Sequence, residues 1–146
     1  MSNEHTVKSY EEELRYLIDS VIKMGSLTES QLVDSMDAVI KVDKDSIDKI
    51  IKSDDEINKF RSVIDIQIMN LLVKRAPMAI DLRETISSLK ISQDLERIGD
   101  LSKSNAKKIK PLPLDLPEEL LSNLKRLGDL VIKPVSYTHL TLPTKA

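Results

Sequence analysis

The turn at Ala76-Pro77 constrains the fold of this chain more than any other feature, because it divides a long stretch of helical pattern into two. Apolar residues on both sides recur every three or four positions, which is the period of an amphipathic helix. The residue before a proline is pushed out of the α region, so a helix must end near Arg75. The pattern therefore predicts two long helices that fold back on each other at this turn.

The same periodicity predicts three long helices and the start of a fourth. Met1 to Lys8 is expected to be a disordered lead-in. Pro117 opens the fourth helix, since proline is tolerated in a first turn. The three long helices are expected at about Tyr10 to Val42, Lys44 to Arg75 and Met78 to Lys110. Helices of this length joined by short turns predict an all-α fold, an antiparallel three-helix bundle over residues 1–110.

The chain changes character after Ile132. Residues 133–146, KPVSYTHLTLPTKA, contain two prolines and no helical period, so we expect an unstructured C-terminal tail. This segment looks like a read-through or cloning scar joined to a truncated gene rather than native sequence. Residues 111–132 are then the linker and the start of the fourth helix.

The composition argues against several classes of function. The formal net charge of the 146 residues is -2, which does not favour an electrostatic grip on nucleic acid. The chain has no cysteine, which excludes disulfides and thiolate metal sites. Its start is polar and acidic, unlike a signal peptide, and no apolar run approaches the roughly 20 residues of a membrane span. These features are typical of a soluble helical protein.

Two pairs of polar residues point to a metal site. Glu96 and Asp100 lie four positions apart on the third helix, and Asp54 and Asn58 do so on the second, so each pair shares a helix face. Folding about Pro77 brings the two pairs to the same level, given a rise of about 1.5 Å per residue. A cation of the Mg, Mn, Fe or Zn kind would remove the repulsion among three carboxylates. The spacing therefore predicts an oxygen-rich candidate metal site.

Two other interpretations of this cluster stay open. Acidic residues four apart are common in a chain that is 32% charged. Lys59 and Arg97 are close enough in sequence to form solvated salt bridges instead, and the chain would then be a bare structural bundle. A metal-dependent enzyme that activates water at Asp54, Glu96 and Asp100 is the alternative from another class.

Two segments resemble the PhoU family of phosphate-uptake regulators. Residues 74–83, KRAPMAIDLR, are similar to the family's R-Q-P-x-A-x-D-L-R pattern, and residues 89–100, LKISQDLERIGD, are similar to its L-K-x-x-x-x-L-E-R-I-G-D pattern. HTVKSYEEEL near the start is similar too, and the resemblance covers about residues 4–131. Asn58 departs from the family, which has an acid there, and Ala76 stands in the place of its glutamine.

The resemblance implies a fold and a ligand set. PhoU proteins consist of two tandem three-helix bundles, so residues 111–132 are expected to start a truncated second bundle. Acidic pairs on the second and third helices bind multinuclear iron or zinc clusters in some members. Carried over residue by residue, the ligands fall on Asp54, Asn58, Glu96 and Asp100, with magnesium or manganese as alternative ions.

The resemblance also implies regulation without catalysis. PhoU-like proteins act in the cytoplasm and couple PstB, the ATPase subunit of the phosphate ABC transporter, to the sensor histidine kinase PhoR. They reach the membrane only through these partners. We take Asp81, Arg83 and Arg97 as candidate partner-binding residues, with an exposed ion pair between Asp81 and Arg83 as the alternative. A homodimer through the face that a second bundle would cover is a further expectation.

Overall fold

The computed structural model describes residues 2–141, with side chains described from Val7 to Tyr137. Within this range the chain is built from α-helices and contains no strand. The helices are α1, Ser2–Lys41; α2, Ile47–Arg75; α3, Ala79–Lys108; and α4, Glu118–Thr141. The first three pack against one another as an antiparallel bundle, and α4 packs on α1. The predicted all-α three-helix bundle with a fourth helix is therefore confirmed.

The turn between α2 and α3 lies where Pro77 predicts it. Arg75 ends α2, and Ala76 takes a left-handed conformation with φ 44° and ψ 58°. Ala79, at the start of α3, also has a positive φ, of 53°. A left-handed backbone costs a residue with a Cβ on the order of 1 kcal/mol, so this tight turn stores strain.

The first helix is longer than the apolar pattern indicates. The prediction of a disordered lead-in from Met1 to Lys8 is wrong from Ser2 onward, because α1 begins there. Once a helix is nucleated, each further residue adds one hydrogen bond at little cost. The extension therefore needs no apolar partner of its own. Met1 lies outside the described residues.

Two apolar clusters hold the bundle together, and a polar layer separates them. The cluster nearer the Ala76-Pro77 turn contains nine buried residues: Leu14, Leu17, Val21, Met24, Ile57, Ile64, Ile68, Leu71 and Leu95. The cluster at the other end contains six: Ala38, Val42, Ile47, Ile50, Ala106 and Ile109. Between the two clusters, each of the three helices carries a buried polar side chain: Gln31 on α1, Asp54 on α2 and Ser102 on α3.

The third helix buries small side chains rather than the large apolar ones that its sequence suggests. Its buried residues are Thr85, Ser88, Ser92, Leu95, Gly99, Ser102 and Ala106. Leu82, although apolar, is 39% exposed. The hydroxyl of Ser102 donates to the carbonyl oxygen of Ile98 at 2.8 Å, and Thr85 and Ser92 bond their own helix in the same way. These hydroxyls can be buried because each has a partner.

The fourth helix continues beyond the point where the sequence predicts an unstructured tail. It passes through Pro134 and ends at Thr141. The prediction is therefore wrong for residues 133–141, and its remainder, residues 142–146, lies outside the described part of the chain. A proline inside a helix costs about 3 kcal/mol, so packing must stabilise this segment.

Contacts with α1 supply that packing on both sides of Pro134. Gly128 lies against Met36, where an added Cβ would be 2.8 Å from the Met36 Cε atom. Beyond the proline, the Ser136 hydroxyl donates to the Glu29 carboxylate. Within the described range, none of the four helices is both long and apolar enough to cross a membrane.

Candidate functional site

Asp54 of α2 is the centre of the polar layer, and its side chain is fully buried. Its Oδ2 atom accepts hydrogen bonds from Nζ of Lys103 on α3 and, at 3.3 Å, from Nδ2 of Asn58. Its Oδ1 atom accepts a hydrogen bond from Nε2 of Gln31 on α1 at 3.4 Å. A buried carboxylate is costly unless it is paired and hydrogen-bonded. Here every helix of the bundle contributes a donor, so one side chain joins all three.

Gly99 lets α3 approach this layer closely. A Cβ atom at this position would lie 3.1 Å from Oε1 of Gln31 and 3.4 Å from Oδ1 of Asp54. Gln31 is held in place by a second bond, from its Nε2 to the carbonyl oxygen of Ile50 at 3.3 Å. Its Oε1 has no hydrogen-bond partner among the described residues. The glycine of the L-E-R-I-G-D segment therefore has a packing role beside the buried carboxylate.

Lys103 carries the positive charge of the layer. Its Nζ also lies 3.6 Å from Oδ1 of Asp100, which is 56% exposed. The hydrogen bond to Asp54, opposed by burial and assisted by the negative charges of Asp54 and Asp100, raises the pKa of Lys103. The lysine is therefore an ammonium ion at neutral pH, with one side toward the buried carboxylate and one toward solvent.

Glu96 belongs to a separate ion cluster around Arg61. The Nε atom of Arg61 donates to Oε2 of Glu96 at 3.2 Å, and its Nη1 donates to Oγ of Ser92 at 2.6 Å and lies 2.7 Å from Oδ1 of Asp65. The arginine side chain is only 13% exposed. A planar guanidinium presents several donors in fixed directions, so Arg61 ties α2 to α3 about two turns along α2 from Asp54.

The structure brings the four predicted metal ligands together only in part. Asp54 and Asn58 are in contact. Lys103 links Asp54 to Asp100, whereas Glu96 pairs elsewhere with an arginine. Among the residues described, no three acidic, histidine or cysteine side chains are placed to hold a metal ion. These positions do not fit the implied iron or zinc set, and metal binding stays a prediction.

Sequence reasoning missed four residues on which this site depends: Gln31, Arg61, Gly99 and Lys103. Lys59 and Arg97, for which solvated salt bridges were the alternative prediction, form no ion pair with another described residue. A signal for the actual partners was present in the spacing. Lys103 follows Asp100 by three positions and Asp65 follows Arg61 by four, and both separations keep residues on one helix face.

The three candidate partner-binding residues lie in different environments. Asp81 is beside Tyr10 of α1, and burial, together with the negative charges of Asp81 and Glu84, raises the pKa of Tyr10 to about 12. The Tyr10 hydroxyl lies beside the Asp81 carboxylate, which contributes to this shift, but the contact falls short of a hydrogen bond of normal geometry. Arg83 and Arg97 are exposed, and neither forms an ion pair with another described residue. The alternative ion pair between Asp81 and Arg83 is not formed.

A further ion pair ties the start of α1 to the end of α2. The Nη2 atom of Arg75 donates to Oε1 of Glu13 at 2.8 Å and to Oγ of Ser9 at 3.0 Å. The hydrogen bond from Arg75 lowers the pKa of Glu13, and the same bond raises the pKa of Arg75. The arginine just before the Ala76-Pro77 turn therefore holds the end of the bundle closed.

The fold and the site define a class of protein: an all-α bundle with a charge-paired polar layer and, on its third helix, two arginines that pair with no other described residue. The chain belongs to the PhoU family, because the family model described as PhoU domain matches residues 21–109. Both the buried Asp54 and the L-E-R-I-G-D segment lie within the matched residues. The resemblance seen in the sequence is therefore confirmed.

Curated relatives lead to the same family. The chain is 38% identical over 129 residues to the phosphate-specific transport system accessory protein PhoU homolog of Caulobacter vibrioides. The aligned segment covers 88% of this chain and 56% of that relative. It is 36% identical over 143 residues to the PhoU homolog of Xylella fastidiosa strain Temecula1. That alignment covers 98% of this chain and 59% of that relative. The chain thus spans somewhat more than half the length of these relatives.

A solved structure has the same fold. The crystal structure of the phosphate transport system regulatory protein PhoU from Streptococcus pneumoniae matches with a TM-score of 0.82 and 29% sequence identity. The match covers 92% of this chain and 63% of that one. The arrangement of the helices is therefore shared over nearly the whole of this chain.

Proposed function

We propose that this chain regulates phosphate uptake and phosphate-starvation signalling. In this proposal it acts in the cytoplasm as an adaptor between PstB and PhoR, and it reaches the membrane only through these partners. The observation that carries the proposal is membership of a family whose relatives are described as phosphate-specific transport system accessory proteins. The shared fold over 92% of the chain supports it.

The outer surface of α3 supports a role in binding. Arg61, Arg75 and Lys103 are already paired with carboxylates of this chain, whereas Arg83 and Arg97 pair with none of the described carboxylates. These two arginines are 14 positions apart. In a regular helix this separation places the two side chains about 40° apart around the helix axis, and thus on one face, and about 21 Å apart along it. A guanidinium binds carboxylates in bidentate fashion, so an acidic partner surface along α3 could engage both.

The polar layer supports regulation without catalysis. A general base must be within reach of the proton that it abstracts, but Asp54 is buried and both of its oxygens already accept hydrogen bonds. Glu96 is paired with a guanidinium. A cavity of about 430 Å³ lies on α4 and is lined by residues without a carboxylate: Leu120, Asn123, Leu124, Arg126, Leu127 and Leu130. These observations do not favour the metal-dependent enzyme.

The test is direct binding of the 146-residue chain to purified PstB and to the cytoplasmic part of PhoR. We expect the chain to bind both proteins. Arg83→Ala and Arg97→Ala are expected to weaken binding to at least one of them by about tenfold, as loss of an interface arginine often does. Arg15→Ala, which removes an exposed arginine of α1, is the matched control and should leave both affinities unchanged.

The outcomes separate the alternatives. Wild-type chain that binds neither protein, while circular dichroism shows it fully helical, would contradict the adaptor and favour a bare structural bundle. Equal losses for Arg15→Ala and Arg97→Ala would show that the proposed α3 surface is wrong. The homodimer stays a prediction, and sedimentation of the same samples would test it.

A further inference from the structure

We propose that Lys103 is the built-in counter-ion of Asp54, and that its ammonium group takes the place that the family resemblance gives to a metal ion in this bundle. The proposal does not depend on PstB or PhoR. It concerns how the buried charge of the polar layer is balanced, and it makes the integrity of this bundle independent of iron or zinc.

The burial of Asp54 requires a compensating positive charge. Its side chain is 0% exposed, and a carboxylate removed from water is costly unless it is paired and hydrogen-bonded. The Lys103 side chain is only 27% exposed, and its ammonium group reaches Oδ2 of Asp54. A long aliphatic stem with a charged tip is suited to this position.

Both oxygens of the carboxylate already accept hydrogen bonds within the layer. Oδ2 accepts from Lys103 and from Asn58, and Oδ1 accepts from Gln31. A metal ion at Asp54 would have to displace an ammonium ion and turn the Asn58 amide around. Asn58 is also the position where this chain departs from the acidic family pattern, and an amide can donate to Asp54 where a carboxylate could not.

The other half of the predicted ligand set is compensated in the same way. Glu96 is held by Arg61, whose side chain is only 13% exposed. Each of the two carboxylates nearest the bundle interior therefore has a basic partner from the opposite helix: Asp54 from α3 and Glu96 from α2. Two independent cation–carboxylate pairs, about two turns apart along α2, therefore neutralise the carboxylates that the sequence assigns to one metal site.

The experiment compares the thermal stability of the full chain with its variants Lys103→Met, Asp54→Asn and the double variant. Lys103→Met leaves a buried carboxylate without a counter-ion, and we expect its Tm to fall by about 5–10 °C. Asp54→Asn removes the buried charge itself and should cost less. The double variant should resemble Asp54→Asn, because neither charge is then left alone. Lys107→Met, which alters an exposed lysine one turn further on α3, is the matched control.

Metal addition completes the test. The Tm of the wild-type chain should not change with EDTA, with Mn²⁺ or Zn²⁺, or with Fe²⁺ under anaerobic conditions. Stoichiometric uptake of any of these ions by wild type that is lost in Asp54→Asn would overturn the proposal. So would a Lys103→Met variant as stable as Lys107→Met. If Lys103→Met does not fold, Lys103→Arg replaces it in the test, because arginine keeps the positive charge. A folded Lys103→Arg variant without metal would support the proposal, and an unfolded one would overturn it.

Discussion

Gly99 of α3 lies so close to Gln31 of α1 that a Cβ atom on the glycine would be 3.1 Å from the Gln31 Oε1 atom. Gln31 cannot move away freely, because it is buried and its Nε2 atom holds both Ile50 and Asp54. Ile57 closes the other side, with its Cδ1 at 3.3 Å from the same Cβ position. The distance between α1 and α3 is therefore set at a residue without a side chain.

We expect Gly99→Ala to lower the free energy of unfolding by about 1 kcal/mol. Alanine gains about 1 kcal/mol in helix propensity, but overpacking a well-filled site costs about 1–3 kcal/mol. Gly128→Ala is the matched control, because the atom that it meets is the flexible Met36 Cε, and it should be neutral or stabilising by up to about 1 kcal/mol. Urea unfolding measures both. Equal stabilisation by the two changes would show that the Gly99 contact is not tight.

Arg61→Met should lower the free energy of unfolding by about 1–2 kcal/mol, since it removes three charge-assisted contacts but leaves Glu96 and Asp65 partly solvated. Lys41→Met breaks an exposed pair, with Lys41 Nζ 3.7 Å from Asp37 Oδ2, and should change stability by less than about 0.5 kcal/mol. Chemical denaturation of the two variants provides the comparison. If Lys41→Met lost as much stability as Arg61→Met, burial would not be the reason that the Arg61 contacts stabilise the fold.

Glu13→Gln should flatten the stability of the chain at acidic pH. The pKa of Glu13 is lowered from its ordinary value of 4.5 by its hydrogen bond from Arg75. A lowered carboxyl pKa contributes stability that is present above the unfolded pKa and is lost as pH falls through the folded pKa. The variant should therefore have a Tm about 1–3 °C lower than wild type at pH 7. This gap should close below pH 4.5.

The control for this pH series is Glu12→Gln, which alters an exposed neighbour in the same turn of α1. It should leave the Tm at pH 7 close to that of wild type. A gap between wild type and Glu13→Gln that stays constant from pH 7 down to strongly acid solution would mean that the Glu13 charge does not stabilise the fold.

Tyr10→Phe should leave the chain as stable as wild type at neutral pH, or more stable by up to about 1 kcal/mol, because the buried hydroxyl makes no hydrogen bond of normal geometry, even to the neighbouring Asp81 carboxylate. Burial raises the Tyr10 pKa from 10.0 to about 12. Between pH 10 and pH 12 the folded state keeps a proton that the unfolded state releases. The stabilisation that comes from this proton is therefore complete below pH 10 and is lost as pH rises toward 12. Ultraviolet titration of wild type should show a late ionisation step that the variant lacks. A strongly destabilised variant would reveal a hydroxyl contact that the structure does not show.

The fold could be predicted from the sequence wherever an apolar period or a proline sets the boundary. The end of α2 at Arg75 and the start of α3 at Ala79 follow from Pro77. The two ends of the chain were predicted less well, because α1 already begins at Ser2, ahead of the apolar pattern, and Pro134 is carried within α4 by packing on α1. Packing between distant segments is not visible in a local pattern.

The position of the candidate site along the bundle could be predicted from the sequence, but the pairing of its side chains could not. Folding about Pro77 correctly places Asp54 opposite the region of Asp100, since Lys103, three residues further on, contacts Asp54. The separation of Glu96 from Asp54 depends on side-chain direction, which spacing alone does not define. The role of Gly99 depends on how closely two helices approach, and that distance is a property of the assembled bundle.

α1 contacts each of the other three helices, and this arrangement has a consequence for synthesis of the chain on the ribosome. α1 is complete at residue 41, but α3, which closes the bundle, is complete only at residue 108, 67 residues later. At about 5–20 residues per second, synthesis of these residues takes roughly 3–13 seconds. For that time the apolar face of α1 lacks its contacts with α3. During this interval α2 covers only part of it. The nascent chain therefore exposes apolar surface, to which a chaperone can bind, before the bundle is closed.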